Sequence, residues 1–165
     1  MRQLSITLLF LFCSAMISSC QENTEDPAGE LLDVGIEISV KSAEGVDLLN
    51  PQSPGHIEEN KIRIFKLVNG ENVEVYDPNM DSPRGFMIFE HASEFRIRIF
   101  GNESSTDEYP ITYVKWNESD TDTLKYQIIR KNDNSCVSIS KVWFNSIEVW
   151  DQETDKDERH FEIIK

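Results

Sequence analysis

Alternating carboxylates are what a calcium loop requires, and one such run stands late in the chain: Asp151, Glu153, Asp155 and Asp157, with Glu162 at the twelfth place. Oxygen ligands at every second position converge on a hard cation only where the loop between them turns sharply. Lys156 occupies the sixth place, where glycine makes that turn, and the lead-in Ile147-Glu148-Val149-Trp150 alternates as a strand. The run therefore reads as a solvated stretch of charge, with a looser calcium site between loops as the alternative. His56, His91 and His160 have no HxH or HxxxH spacing and are expected at the surface. No serine sits in a GxSxG elbow, and no glycine-rich segment cradles phosphate. Cys136 alternates with Val137 and Ile139, which predicts a buried, inert thiol. The expectation is a protein without metal, cofactor or catalytic residues, and not an enzyme.

The aromatic residues offer more. Trp116, Trp143 and Trp150 fall at expected strand ends or beside turns, where indole rings can form a platform for a sugar or a protein partner. One of the three is expected to fill the core instead. The trio is the candidate ligand-binding set.

A cationic residue, Arg2, then an apolar run from Leu4 to Phe12, then small residues up to Cys20, make the three-part layout of a secretory signal. The apolar run is too short to span a bilayer, which takes roughly 20 residues. Ile17-Ser18-Ser19-Cys20 resembles the lipobox of bacterial lipoproteins, with Ile17 and Ser19 as variants of the usual residues. That resemblance implies removal of residues 1–19 and acylation of Cys20, making the lipid bilayer the first partner. An ordinary secretory signal is the alternative. Several acyl chains anchor far more firmly than one, since each buried methylene contributes about 0.8 kcal/mol.

The whole chain carries a formal charge of −14; losing the leader removes Arg2 and no acid, leaving 15 basic against 30 acidic residues, a net −15. Such a surface repels nucleic acid, which is not an expected partner. Of three cysteines, Cys13 departs with the leader and Cys20 takes lipid, so Cys136 remains without a disulfide partner. The domain must then rest on its own hydrophobic core, for which roughly 130 residues suffice.

Positioning falls to strands. Residues 20–32 are polar and acidic, broken by Pro27 and Gly29, and read as a flexible tether; residues 33–165 read as one domain. Val34, Ile36, Ile38 and Val40 share one face of a strand, and Leu48 and Leu49 dip toward the core from a turn-rich connection. Asn69-Gly70 predicts a tight hairpin between strands over 61–68 and 72–76. Further strands are expected over 86–89, 94–101, 111–116, 124–130 and 136–144, then over 147–150 after a reversal at Asn145-Ser146, and a last edge strand over 161–164. No amphipathic helix is apparent. Short strands at this spacing predict an all-β antiparallel sandwich, Ig-like or transthyretin-like Greek key, with a closed barrel as the alternative.

Most of the chain resembles the small lipoproteins of unknown function of gut Bacteroidetes. The likeness is carried by Cys20, Asp47-Leu48-Leu49-Asn50-Pro51, Asn69-Gly70, Asp122-Thr123-Leu124 and Lys141-Val142-Trp143-Phe144-Asn145-Ser146. It implies a β-sandwich on the outer membrane and no catalytic residues. Glu22, Glu25 and Asp26 resemble the surface-export signal of that phylum, implying outward display, with a periplasm-facing orientation as the alternative. Asp122-Thr123-Leu124 also resembles its O-glycosylation motif, making Thr123 a candidate, unless Asp122 simply belongs to a turn. The expected function is a non-enzymatic binding module for a glycan or a peptide or protein ligand. A structural or assembly subunit of an envelope or fimbrial complex is the alternative.

Overall fold

The computed structural model describes residues 31–103, 105–131, 136–155 and 157–165; the expected leader, Cys20 and most of the tether lie outside the described residues. The alternating apolar positions form strands β1 (Leu31–Asp33), β2 (Gly35–Lys41), β3 (Arg63–Val68), β4 (Glu71–Glu74), β5 (Phe86–His91) and β6 (Glu94–Phe100). They continue through β7 (Ile111–Asn117), β8 (Asp120–Lys131), β9 (Cys136–Phe144), β10 (Ile147–Asp151) and β11 (His160–Ile164). Among the described residues the only helical turn is the short 3-10 segment Glu59–Lys61, and no helix is long and apolar enough to cross a membrane.

Two sheets pack face to face as a sandwich. One runs β1-β9-β8-β7-β3-β4, with β10 also paired to β9; the other runs β11-β2-β6-β5. The first half of β9 pairs with β1 and its second half with β10. Both of those strands lead onward into the opposite sheet, so the two sheets are tied together along this edge. Between them lie Ile64, Val114, Trp116, Leu124, Tyr126 and Ile139 from the larger sheet, and Ile36, Ile38, Val40, Ile97 and Ile99 from the smaller. Leu49 joins the core as expected, with Leu48 packed against it. Burial of such side chains contributes about 1.5–3 kcal/mol each, and no disulfide occurs among the described residues.

Turn chemistry sets the registers. Asn69 and Gly70 both adopt positive φ, 51° and 83°, and join Val68 to Glu71 in the expected hairpin. Asn145 and Ser146, at 48° and 72°, do the same between β9 and β10.

Three expectations are corrected. The sheets are mixed, because β1 runs parallel to β9 and β11 parallel to β2. Parallel partners need a long connection, and each of these pairs is separated by most of the domain. The tether does not extend to residue 32: Leu31 and Leu32 already pair with Cys136 and Val137. Cys136 is half-buried rather than buried, because it opens β9 at the sheet margin.

Candidate functional site

Inward-facing residues of β8 alternate with Lys125 and Gln127, which face out beside Trp143 and Lys141 of β9. Cross-strand pairing lines up Ile111, Lys125, Trp143 and Glu148 on this outer face. Tyr109 completes it. The carbonyls flanking Tyr109 accept backbone hydrogen bonds from β8, Glu108 O from Ile128 N at 3.0 Å and Pro110 O from Tyr126 N at 3.3 Å. That pairing lays the phenol ring against Trp143, with centroids 6.0 Å apart and planes tilted by 60°. Lys125 Nζ stands 4.6 Å from the Trp143 centroid and 5.9 Å from that of Tyr109, so its cation faces both π clouds.

The polar rim is fixed as firmly. Gln127 Nε2 donates to Glu108 Oε1 at 2.9 Å and to the Tyr109 hydroxyl at 3.2 Å, while its Oε1 accepts from Ser140 Oγ at 3.1 Å. The Glu108 carboxylate beside the phenol raises the Tyr109 pKa above its ordinary value. Tyr109 is 44% exposed and Trp143 half-buried. Two rings with an amide, a carboxylate and an ammonium around them can stack on the apolar face of a sugar while exchanging hydrogen bonds with its hydroxyls.

The other two tryptophans sit elsewhere. Trp116 is 1% exposed and donates from Nε1 to Asp122 Oδ2 at 2.7 Å. Asp122 also accepts from Asn145 Nδ2 at 2.7 Å and pairs with Lys165 Nζ at 2.6 Å. Burial raises the Asp122 pKa, but the hydrogen bonds from Asn145, Lys165 and Trp116 outweigh it and hold the carboxyl below its usual value. Trp150 is 6% exposed and carries the Arg159 guanidinium over its ring at 4.7 Å. Burial thus removes Trp116 from the expected platform and leaves Trp150 with only its margin on a cleft. Two of the three rings, not one, fill the core.

Thr123 lies in mid-strand on the outer face, opposite Tyr113, with its amide donating to Asn145 Oδ1 at 2.9 Å. Asp122 is a buried strand residue rather than a turn residue. The acidic run is likewise less solvated than expected at its start: Asp151 is buried, pairs with Lys141 Nζ at 2.5 Å and accepts the Glu153 amide at 2.9 Å. The Asp151 amide in turn donates to Asp155 Oδ2 at 2.7 Å, so these carboxylates stitch a turn. Among the described residues no group of three or more His, Cys, Asp or Glu is placed to hold a metal ion.

The histidines remain apart. His56 is exposed and His91 stands 3.9 Å from Glu158. His160 Nε2 lies 3.0 Å from Ser39 Oγ, but Ser39 is 1% exposed and Glu94 approaches the same ring nitrogen at 3.8 Å. A Ser-His-acid relay needs the acid on the opposite nitrogen and an accessible hydroxyl. Lys125 and Gln127 carried a signal in the sequence, the outward phase of the 124–130 alternation, whereas Tyr109 is hidden in a turn-rich segment. No protein-family model, curated protein or solved structure matches the chain.

Proposed function

We propose that the chain is a non-enzymatic binding module whose outer face on the larger sheet takes a glycan on the exposed side of the packed Tyr109 and Trp143 rings. The observation that carries this reading is the pair of rings at 6.0 Å, held by the Gln127–Glu108 rim and capped by Lys125. The sequence of residues 1–20 supports delivery across the inner membrane and anchoring through acylated Cys20, in the manner of a Bacteroidetes outer-membrane lipoprotein displayed at the surface. The ten residues 21–30 would then keep β1 within about 35 Å of the bilayer, the limit of an extended chain of that length.

A glycan array probed with the full chain in detergent micelles tests the reading. Binding is expected to a subset of polysaccharides and to be lost in Trp143→Ala with Tyr109→Ala. An array without hits, or hits kept by both variants, would overturn it. Palmitate labelling tests the anchor separately: wild type takes label and Cys20→Ser does not.

The assembly-subunit reading draws on one observation. β11 pairs only with β2 among the described residues, and its Ile164 is 58% exposed, leaving an apolar edge on which a partner strand could add. Pull-down of a stoichiometric envelope subunit that is lost on Ile164→Lys would favour it.

A further inference from the structure

The Tyr109–Trp143 face carries a cation to which the fold gives no anion. Every other lysine and arginine among the described residues is paired with a carboxylate, except Arg130, which donates to the Glu103 and Ser105 carbonyls, and Lys131, which is exposed. Lys125 is half-buried, yet among the described residues its Nζ has neither an ion pair nor a hydrogen bond. With 30 acidic residues against 16 basic ones, the chain does not lack acids to place there.

That ammonium can be reached. Among the described residues the unpartnered side-chain nitrogens and oxygens closed to solvent are Trp150 Nε1 and Arg159 Nε, so Lys125 Nζ meets water. What holds it is the pair of rings, with centroids 4.6 Å away for Trp143 and 5.9 Å for Tyr109. Attraction of an ammonium to a ring at a wet surface is weaker than its hydrogen bond to an anion. The rings therefore station Lys125 without competing strongly for its charge.

The acids that flank the face are engaged with other groups. Glu108 accepts from Gln127 Nε2 at 2.9 Å and stands beside the Tyr109 hydroxyl, whose pKa it raises. Glu148, across from Trp143, is exposed and, with Asp151, helps to raise the Lys141 pKa. One accessible cation thus lies between two rim carboxylates.

We propose that the glycan taken by this face bears one acidic group, a uronic acid carboxylate or a sulfate ester, and that Lys125 selects it. The inference rests on the glycan-binding reading of the same face. A sugar ring lies on the exposed side of the Tyr109 and Trp143 rings, and its anionic substituent accepts from Lys125 Nζ, which the flexible lysine stem can turn toward it. Glu108 and Glu148 repel a second charge nearby, so the preferred chain is otherwise neutral and a polyuronate is disfavoured.

The full chain in detergent micelles, probed on an array of neutral, singly acidic and polyanionic oligosaccharides, tests the proposal. The strongest hits are expected among the singly acidic members, and their identity separates carboxylate from sulfate. Calorimetry then compares the best acidic hit with its carboxyl-reduced or desulfated form, which keeps the sugar ring and loses the charge. Wild type should prefer the acidic form about tenfold, the order expected for one hydrogen bond to a charged group. Lys125→Met should bring that ratio close to one, and Lys125→Arg should retain most of it. The proposal fails, with the glycan-binding reading intact, if neutral glycans bind as well as acidic ones, if polyuronates bind best, or if Lys125→Met keeps the preference. An array without hits overturns both. Loss of the charge from the ligand tests selectivity without any substitution, so the outcome stands even if Lys125→Met misfolds.

Discussion

Arg159 grips Asp33 with both terminal nitrogens, Nη1 to Oδ1 and Nη2 to Oδ2, each at 3.0 Å. The same nitrogens donate to Gly35 O at 2.7 Å and Ile139 O at 3.0 Å, so one side chain, placed just ahead of β11, joins β1, β2 and β9. It locks the edge where the chain passes between sheets.

That geometry makes Arg159 and Asp33 unequal. Arg159→Ala is expected to cost about 3 kcal/mol, because it strips two carbonyls and a carboxylate of charged hydrogen bonds. Asp33 is more than half exposed, so Asp33→Ala should cost no more than about 1 kcal/mol. Arg159→Lys cannot restore the two-pronged contact and should resemble Arg159→Ala. Urea unfolding of the variants measures all three, and equal losses for Arg159→Ala and Asp33→Ala would contradict the hub.

Lys165 and Asp122 close the opposite side. Lys165 Nζ reaches Asp122 at 2.6 Å and both oxygens of Asp120 at 2.7 and 2.8 Å, and the Lys165 amide donates to Lys41 O at 2.9 Å. The end of β11 is thereby fastened to the β7–β8 hairpin beneath Trp116. Asp122→Ala leaves the indole N–H and the ammonium without their buried acceptor and should cost about 3 kcal/mol. A double-mutant cycle with Lys165→Ala should give a coupling of about 1 kcal/mol or more. Additive losses would show that the pair contributes nothing beyond its separate contacts.

Acid should destabilise the fold in two stages. Burial, with Arg96 nearby, lowers the His160 pKa below 6.5, so the folded state disfavours its protonation. The groups around that ring are Arg96 and Glu94 on β6, Glu37 on β2 and Glu158 ahead of β11. Asp33 is held below its usual value chiefly by the Arg159 hydrogen bond. Glu37 and Glu94 are each raised by burial but brought lower overall by arginine, and Asp122 is held low by its three donors. In each case the unfolded chain binds more protons, so unfolding free energy falls as pH falls. The His160 share is lost below about pH 6.5 and the carboxylate shares below about pH 4.5. Relief of the net negative charge acts in the opposite sense; at 1 M salt, where screening length is about 3 Å, that effect is suppressed. A urea midpoint at high salt that rises from neutral pH to pH 3 would refute the expectation.

How far the sequence discloses this molecule depends on whether the determining contacts are local. The inward phase of Ile36, Ile38 and Val40 and the turns at Asn69-Gly70 and Asn145-Ser146 are written within a few residues, and the structure follows them. β1 is not visible, because three residues beside Pro27 and Gly29 are too few to show a period and its partner lies beyond residue 135. Tyr109 reads as loop because its strand-like hydrogen bonds come from β8, and Arg159 reads as one more charge in an acidic run because Asp33 lies 126 residues away. The tryptophans' places near turns were legible; which of them face the core depended on strand phase and pairing.

That phase yields the last expectation, in which the three indoles separate. Trp116→Ala removes a ring at 1% exposure together with the donor to Asp122 and should cost about 3–5 kcal/mol. Trp150→Ala should fall in the same range of about 3–5 kcal/mol, since it empties a core position and uncovers the Arg159 guanidinium. Trp143 packs on a sheet surface against Tyr109, so its replacement by Ala loses one aromatic contact and should cost about 1 kcal/mol. Iodide quenching provides a check independent of stability. The quenchable fraction of wild-type fluorescence should vanish in Trp143→Phe and persist in Trp116→Phe and Trp150→Phe. Quenching that survives Trp143→Phe would mean that another indole faces solvent, and would remove the distinction on which the glycan-binding face rests.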